Sequence, residues 1–268
     1  MMTLTKRQFL SGLLVTSAIT ACDIPTTGVS GNPVGVGVIS ARTSGSGYTT
    51  SPTVTFYRVT GAAFVTTEGL RDTCFTTAFS GSNEPGTPSA SPVGAGAFVT
   101  MRVGARTDSL ARSSTATDPT YRTATAAGFP FTPGDSVVIS IPGDPNGFPT
   151  SEFRGRTAEP FVLTPITVPA TGDSIVVTWS PAGGTGAGML LSFSYATGTA
   201  TTPNQQIACT FVDDGTAIVD PDLAALWAGS ANRDLTARRI RTILAEVSVP
   251  RSYFNVVSSF SWPTPTSP

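Results

Sequence analysis

The most acidic short cluster of the chain is Asp213-Asp214-Gly215, followed closely by Asp220 and Asp222. Carboxylate oxygens held together in this way could bind Ca²⁺, a hard cation that prefers oxygen ligands. The spacing does not match an EF-hand loop, and a tight turn with an acidic rim before a helix explains the same residues. We therefore favour the turn, keep Asp213 and Asp214 as candidate calcium ligands, and predict no other metal and no cofactor.

Three arginines, Arg238, Arg239 and Arg241, form a basic cluster at the start of a candidate strand. If Arg239 and Arg241 share one face of that strand, they could bind an acidic partner or lipid headgroups. Charge that protects an edge strand from pairing is the more ordinary explanation. The whole chain has 16 basic and 17 acidic residues and a net charge of −1, so we predict no nucleic-acid partner.

Few catalytic devices can be built from this composition. Histidine is absent, which removes the commonest general base and every Ser-His or Cys-His pair. The sequence has no Gly-x-Ser-x-Gly elbow, P-loop or dinucleotide fingerprint. A carboxylate pair of the glycosidase type remains open, because distant glutamates can meet in space. The glutamates considered for it are Glu68, Glu84, Glu152, Glu159 and Glu246.

The N-terminal residues are typical of an export signal. Lys6 and Arg7 precede a mostly apolar stretch from Phe9 to Ile19, which has the length of a signal-peptide core and is too short to span a bilayer. Cleavage after a signal peptide of residues 1–21 would remove Lys6, the only lysine, together with Arg7. The mature chain would then have 14 basic residues, all arginine, against 17 acidic ones, and no lysine chemistry.

The residues Ile19-Thr20-Ala21-Cys22 resemble the lipobox of bacterial lipoproteins. This resemblance implies that Cys22 carries a diacylglycerol and that acyl chains such as palmitate hold the mature protein on a membrane. An ordinary small-residue cleavage site followed by an unrelated cysteine is the alternative. Residues 22–33 are rich in chain breakers and predict a flexible tether between the lipid and the body.

Two further resemblances concern the export route and the destination. The segment Thr5-Lys6-Arg7-Gln8-Phe9-Leu10 resembles the twin-arginine export motif, with Lys6 in place of the first arginine. It implies export of a folded protein, whereas the alternative is the positive region that any signal needs. Asp23 resembles the inner-membrane retention signal of enteric lipoproteins, which implies an inner-membrane position.

Two cysteines remain after Cys22 is assigned to the lipid. Cys74 and Cys209 each lie in a strand-like segment, and an exported protein occupies an oxidising compartment. We predict a disulfide between them, with two buried free thiols as the alternative.

Short runs with period-two alternation predict an all-β fold. About a dozen such runs, rich in Val, Thr and Phe and separated by Gly, Pro, Ser and Asp, favour an antiparallel β-sandwich of immunoglobulin-like or jelly-roll-like type. The sandwich region is 34–262, either as one large sandwich or as two packed ones at 34–141 and 160–262, followed by a tail at 263–268.

A single short helix is predicted at 221–228. Asp220 suits the N-cap and Pro221 the first helical position, and Gly229 suits the end. Polar segments at 81–93, 104–118 and 142–160 are predicted to be surface loops, where binding sites are common. The three tryptophans, Trp179, Trp227 and Trp262, lie in or beside apolar runs and are predicted to pack in the core.

The second half of the chain resembles uncharacterised bacterial lipoproteins with β-sandwich domains. The resemblance is carried by 172–184 and 207–215 and a following apolar helix, and it implies exported all-β architecture. We expect a non-catalytic lipoprotein of the cell envelope, lipid-anchored on the periplasmic or extracytoplasmic face, that serves as an extrinsic accessory subunit of a membrane protein complex. A carbohydrate- or cell-surface-binding lipoprotein is the alternative, and a hydrolase using carboxylates is the third.

Overall fold

The computed structural model describes residues 30–44, 46–60, 72–78, 90–112, 120–125, 127–184, 186–248 and 251–262. The predicted signal peptide, the predicted lipidation site Cys22 and the tail 263–268 lie outside these residues. The described residues form strands β1 to β17 and one helix, α1. Their bounds are β1 Ser30–Ser44, β2 Gly47–Thr50, β3 Thr53–Thr60, β4 Thr73–Ala78, β5 Ala90–Pro92, β6 Phe98–Val103, β7 Arg106–Arg112, β8 Thr120–Arg122, β9 Phe129–Phe131, β10 Ser136–Ile141, β11 Ser151–Arg156, β12 Ile175–Thr178, β13 Ala187–Tyr195, β14 Gln205–Val212, β15 Thr216–Val219, α1 Pro221–Ala228, β16 Arg233–Ser248 and β17 Arg251–Ser261.

Fifteen of the strands belong to one large sheet, whose main path is β11-β10-β6-β7-β8-β3-β1-β17-β16-β13-β14-β4. Neighbouring strands in the described part of the chain are antiparallel, except that β1 and β17 run parallel. Strands β12 and β15 form a separate two-stranded sheet. The all-β, antiparallel-dominated sandwich predicted from the sequence is confirmed.

Two hydrophobic cores lie against the large sheet. In the first core, the inner faces of β13 and β14 pack against β12, β15 and α1. In the second core, β1, β3 and β17 pack against β6, β10 and β11. Representative buried residues of the first core are Leu191, Phe193, Phe211, Val177 and Trp227, and those of the second are Phe56, Met101, Ile139, Phe148 and Phe254. Because β16 and β17 contribute to both cores, the two halves share one continuous sheet.

Three sequence-based boundaries are corrected by the structure. Strand β1 begins at Ser30, inside the predicted tether, because 30–33 already pair with β3. The segments 104–118 and 142–160 contain β7 and β11. Strand β7 buries only the side chain of Leu110, and β11 buries only that of Phe153. The alternation of apolar and polar residues is therefore too weak to recognise in the sequence.

The predicted helix is confirmed at Pro221–Ala228, with Gly229 as its C-cap. The Asp220 side chain makes no capping hydrogen bond. Trp227 and Ala224 are buried against the first core, whereas Leu226 is 45% exposed. A helix of eight residues does not stand alone in water, so α1 depends on this packing.

The second core depends on glycine at position 35 in β1. A Cβ atom at Gly35 would lie 2.5 Å from Cδ2 of Phe254 and 2.8 Å from Cε1 of Phe56. Phe254 is fully buried and its ring stacks on that of Phe153 with centroids 4.2 Å apart. The ring therefore has little room to retreat, and only a residue without a side chain fits at Gly35.

We predict that Gly35→Ala lowers the free energy of unfolding by about 1–3 kcal/mol, because the added methyl group overpacks the Phe254 ring. Urea denaturation followed by tryptophan fluorescence measures this change. Gly47→Ala is the matched control: it also lies in a strand, and the nearest atom to its added Cβ would be 4.0 Å away. Equal stability of the two variants would contradict the close packing at Gly35.

Candidate functional site

Arg239 and Arg241 point inward from β16, between the two cores. Side chains alternate along a strand, and on this face the residues before the arginines, Leu235 and Ala237, belong to the first core. The residue that follows them, Ile243, belongs to the second core. The two arginines therefore form a polar layer where the cores meet.

The Arg239 guanidinium is completely satisfied by hydrogen bonds. Its Nε donates to Oδ2 of Asp213 at 2.7 Å, and Nη2 donates to Oδ1 of the same carboxylate at 3.2 Å and to the carbonyl of Ser180. Its Nη1 donates to the carbonyls of Pro160 at 2.8 Å and Glu159 at 3.4 Å. All five N–H donors of the side chain thus have acceptors.

Asp213 is equally buried, since both side chains of this ion pair are 1% exposed. The indole Nε1 of Trp179 donates to Oδ1 of Asp213 at 2.6 Å, and the Arg239 guanidinium carbon lies 5.2 Å from the Phe161 ring centroid. The neighbouring Asp214 accepts a bond from the Thr216 amide, which closes the turn. These contacts favour the turn over the calcium hypothesis, because Asp213 is paired with Arg239 and Asp214 accepts a bond within the turn.

Arg241 makes a second ion pair beside the first. Its Nε and Nη2 donate to the two carboxylate oxygens of Glu159 at 2.7 and 2.6 Å, and Nη2 also donates to the Gly183 carbonyl at 2.8 Å. The segment 157–164 thus crosses between the cores under both arginines. Within this segment, the Ala158 amide donates a hydrogen bond to the hydroxyl oxygen of Ser258 on β17, at 2.8 Å.

The predicted basic patch is therefore corrected for two of its three members. Arg239 and Arg241 are buried and ion-paired, and β16 lies between β13 and β17 rather than at an edge. Arg238 points to the opposite, outer face of the large sheet. It is half-buried, and burial lowers the pKa of its guanidinium.

Arg238 lines a groove of about 190 Å³ across β13, β16 and the end of β17. Strand register places Leu190 and Ser261 directly beside Arg238 on the outer face, with Ser192 and Thr236 in the next row. Trp262 completes the lining just beyond β17. The groove thus joins one cation, several hydroxyl groups and apolar surface.

The predicted disulfide is confirmed. Cys74 on β4 and Cys209 on β14 are direct cross-strand partners, with Cα atoms 4.1 Å apart, and they close a loop of sequence separation 135. The bond fastens β4, the last strand on the main path of the sheet, to its only neighbour on that path.

Of the glutamates considered for a carboxylate pair, two that the structure describes are held in ion pairs. Glu68 and Glu84 lie outside the described residues, Glu152 pairs with Arg154 and Glu159 pairs with Arg241. Trp179 and Trp227 are buried, and Trp262 is half-buried against Phe161. Within the described ranges, no group of three or more acidic or cysteine side chains is placed to hold a metal ion.

No protein-family model matches this chain, and neither a curated protein nor a solved structure does. Within the part of the chain that the structure describes, no helix has the length and hydropathy needed to cross a membrane.

Sequence reasoning missed the partnership of Glu159 and Trp179 with the arginines. A usable signal was present: Arg239 and Arg241 occupy the same alternating positions of β16 as Leu235, Ala237 and Ile243. That pattern predicts inward-pointing arginines, and buried arginines require carboxylate partners.

We predict that Asp213→Asn lowers the free energy of unfolding by about 3–5 kcal/mol, because it leaves the Arg239 charge buried without its anion. Denaturant titration measures the change. Combining Arg239→Met with Asp213→Leu should recover part of the loss, since apolar residues need no ionic partner, although the Trp179 indole then lacks its acceptor.

The matched control is Glu152→Gln, which breaks the Arg154–Glu152 pair, whose side chains are 70% and 47% exposed. Exposed pairs contribute about 0–1 kcal/mol, so this variant should be nearly neutral. If Asp213→Asn and Glu152→Gln had the same small effect, the polar layer would have no structural role.

Proposed function

We propose that the protein is an exported lipoprotein of the cell envelope, anchored through Cys22, whose β-sandwich body binds or supports a partner without catalysis. The preferred role is that of an extrinsic accessory subunit on the periplasmic face of a membrane protein complex. The resemblance of Asp23 to a retention signal favours the inner membrane.

The observation that carries the proposal is the Cys74–Cys209 disulfide. Structural disulfides persist in oxidising compartments and are rare in the cytosol. Among the three cysteines of the chain, this bond leaves Cys22, at the end of the apolar signal, as the one thiol for a lipid. The export signal, the disulfide and the single remaining cysteine thus all support a location in the cell envelope.

The short link to the body supports a role close to the membrane. Seven residues lie between Cys22 and the start of β1 at Ser30, and the eight residue-to-residue steps from Cys22 to Ser30 span at most about 27 Å. A body held so near the lipid is suited to a membrane-bound partner. The ion-paired Glu159 and Asp213 are part of the polar layer, which supports a structural use of these carboxylates.

We predict that the wild-type chain, expressed in a bacterial host, incorporates a labelled palmitate analogue and that Cys22→Ala incorporates none. The variant should also keep its signal peptide, because the lipoprotein signal peptidase requires the modified cysteine. In-gel detection of the label and intact-protein mass spectrometry measure both effects.

The paired variant Cys74→Ala/Cys209→Ala is the control, because it removes two cysteines and spares Cys22. It should take up the label like the wild type, although loss of the disulfide should cost about 2–4 kcal/mol of stability. Normal cleavage and release of Cys22→Ala without its signal would refute the lipid anchor.

A second candidate function, binding of a cell-envelope polysaccharide, is favoured by one exposed surface. Phe98 is 49% exposed and lies in a shallow depression of about 420 Å³ that also contains Thr100, Ser140 and Glu152. An aromatic ring beside hydroxyl and carboxylate groups offers the stacking and polar contacts that orient a ligand.

For this second candidate, we predict that Phe98→Ala abolishes retention of the protein on insoluble peptidoglycan. Val176→Ala, which truncates another exposed apolar side chain, should leave retention unchanged. Absence of retention for the wild type, combined with co-purification of a membrane complex in mild detergent, would leave the accessory-subunit role alone.

A further inference from the structure

We propose that the outer-face groove around Arg238 is a binding site for a carboxylate, and that its occupant is an acidic side chain of a partner protein. The inference rests on the recognition role proposed above and names its chemistry. It concerns only Arg238 of the basic cluster.

Among the described residues, Arg238 differs from its neighbours because no carboxylate forms an ion pair with it. Arg239 and Arg241 each hold a carboxylate on the inner face. No carboxylate in the described part of the chain pairs with Arg238, which has Leu190 and Ser261 beside it instead. A cation in a groove without an anion is disposed to take one from outside, because a charge-assisted hydrogen bond is stronger than a neutral one.

The electrostatic environment supports the same conclusion. An exposed arginine whose stem covers apolar surface keeps its charged end in water. Burial lowers the pKa of Arg238, and desolvation is the cause of that shift. A negative group in the groove would restore the stabilisation that water no longer supplies.

The groove fits a small monoanion with an apolar stem. Its volume of about 190 Å³ is below the range of about 300–1,000 Å³ that is usual for drug-sized ligands. The hydroxyl groups of Thr236 and Ser261 could donate to carboxylate oxygens, while Leu190 offers apolar surface to methylene groups. One cation balances one carboxylate, which favours an acidic side chain over a multiply charged phosphate.

The test is a titration of the full chain, purified from membranes in mild detergent with ¹⁵N-labelled arginine. The probe is N-acetyl-glutamate methylamide, and the neutral comparison is its glutamine counterpart. We expect a saturable shift of the Arg238 Nε–Hε resonance with a dissociation constant on the order of millimolar. The glutamine compound should bind at least about tenfold more weakly, because it cannot form the charge-assisted bond.

Arg238→Met identifies the resonance and should abolish the saturable response, whereas Arg154→Met on the exposed Arg154–Glu152 pair should leave it intact. Because no carboxylate in the described residues pairs with Arg238, Arg238→Met should also keep its Tm within about 2 °C of the wild type, unlike Arg239→Met.

Three outcomes would overturn the proposal. They are equal binding of the glutamine compound, binding of inorganic phosphate in place of the carboxylate, and a fall in the Tm of Arg238→Met as large as that of Arg239→Met. Labelling of Cys22 is independent of this titration. Failure of the lipid-anchor proposal would therefore appear in the labelling experiment, and failure of the carboxylate-site proposal would appear in the titration.

Discussion

The buried ion pair between Arg239 and Asp213 is the interaction on which the rest of the structure depends. Taking both charges out of water costs several kcal/mol per ion, and the fold offsets that cost by giving every N–H of Arg239 an acceptor. The acceptors come from separate parts of the chain: the crossing segment at 159–160, Ser180 and the turn at Asp213. One side chain therefore sets the relative positions of all three, and packing of apolar residues alone would not give that directional control.

The same pair explains how two cores coexist under one sheet. A continuous apolar face along β16 and β17 would allow the crossing segment to slide between alternative positions, because hydrophobic burial is non-directional. The arginines of β16 and the hydroxyl of Ser258 on β17 instead provide hydrogen bonds at defined points. We regard this polar layer as the device that fixes the register of the two halves.

Much of the fold could be predicted from residue patterns, and the failures have physical reasons. The strands with strong apolar runs, such as β10 and β13, were recognisable, and so were the helix and the disulfide. Strands β7 and β11 were missed because each buries one side chain. Arg239 and Arg241 were interpreted as surface charges because charged residues are rarely buried, and their partners Asp213 and Glu159 are 26 and 82 residues away. Pairing over such separations is decided by the tertiary fold, and local sequence carries no measure of it.

The parallel pairing of the first and last described strands has a consequence for geometry at a membrane. Ala41 of β1 lies opposite Phe260 of β17, and Arg238 pairs with the adjacent Ser261. The groove therefore lies at the height of Ala41, about eleven residues along β1 from Ser30. At the rise of an extended strand, this places the groove roughly 35 Å from Ser30. With Cys22 as the anchor, Ser30 would be the end of the body tied to the bilayer, and Arg238 would be carried at the distal end. A partner that reaches Arg238 in an upright body would then have to project tens of ångströms above the headgroups, which favours a protein with a large extramembrane part over a lipid surface.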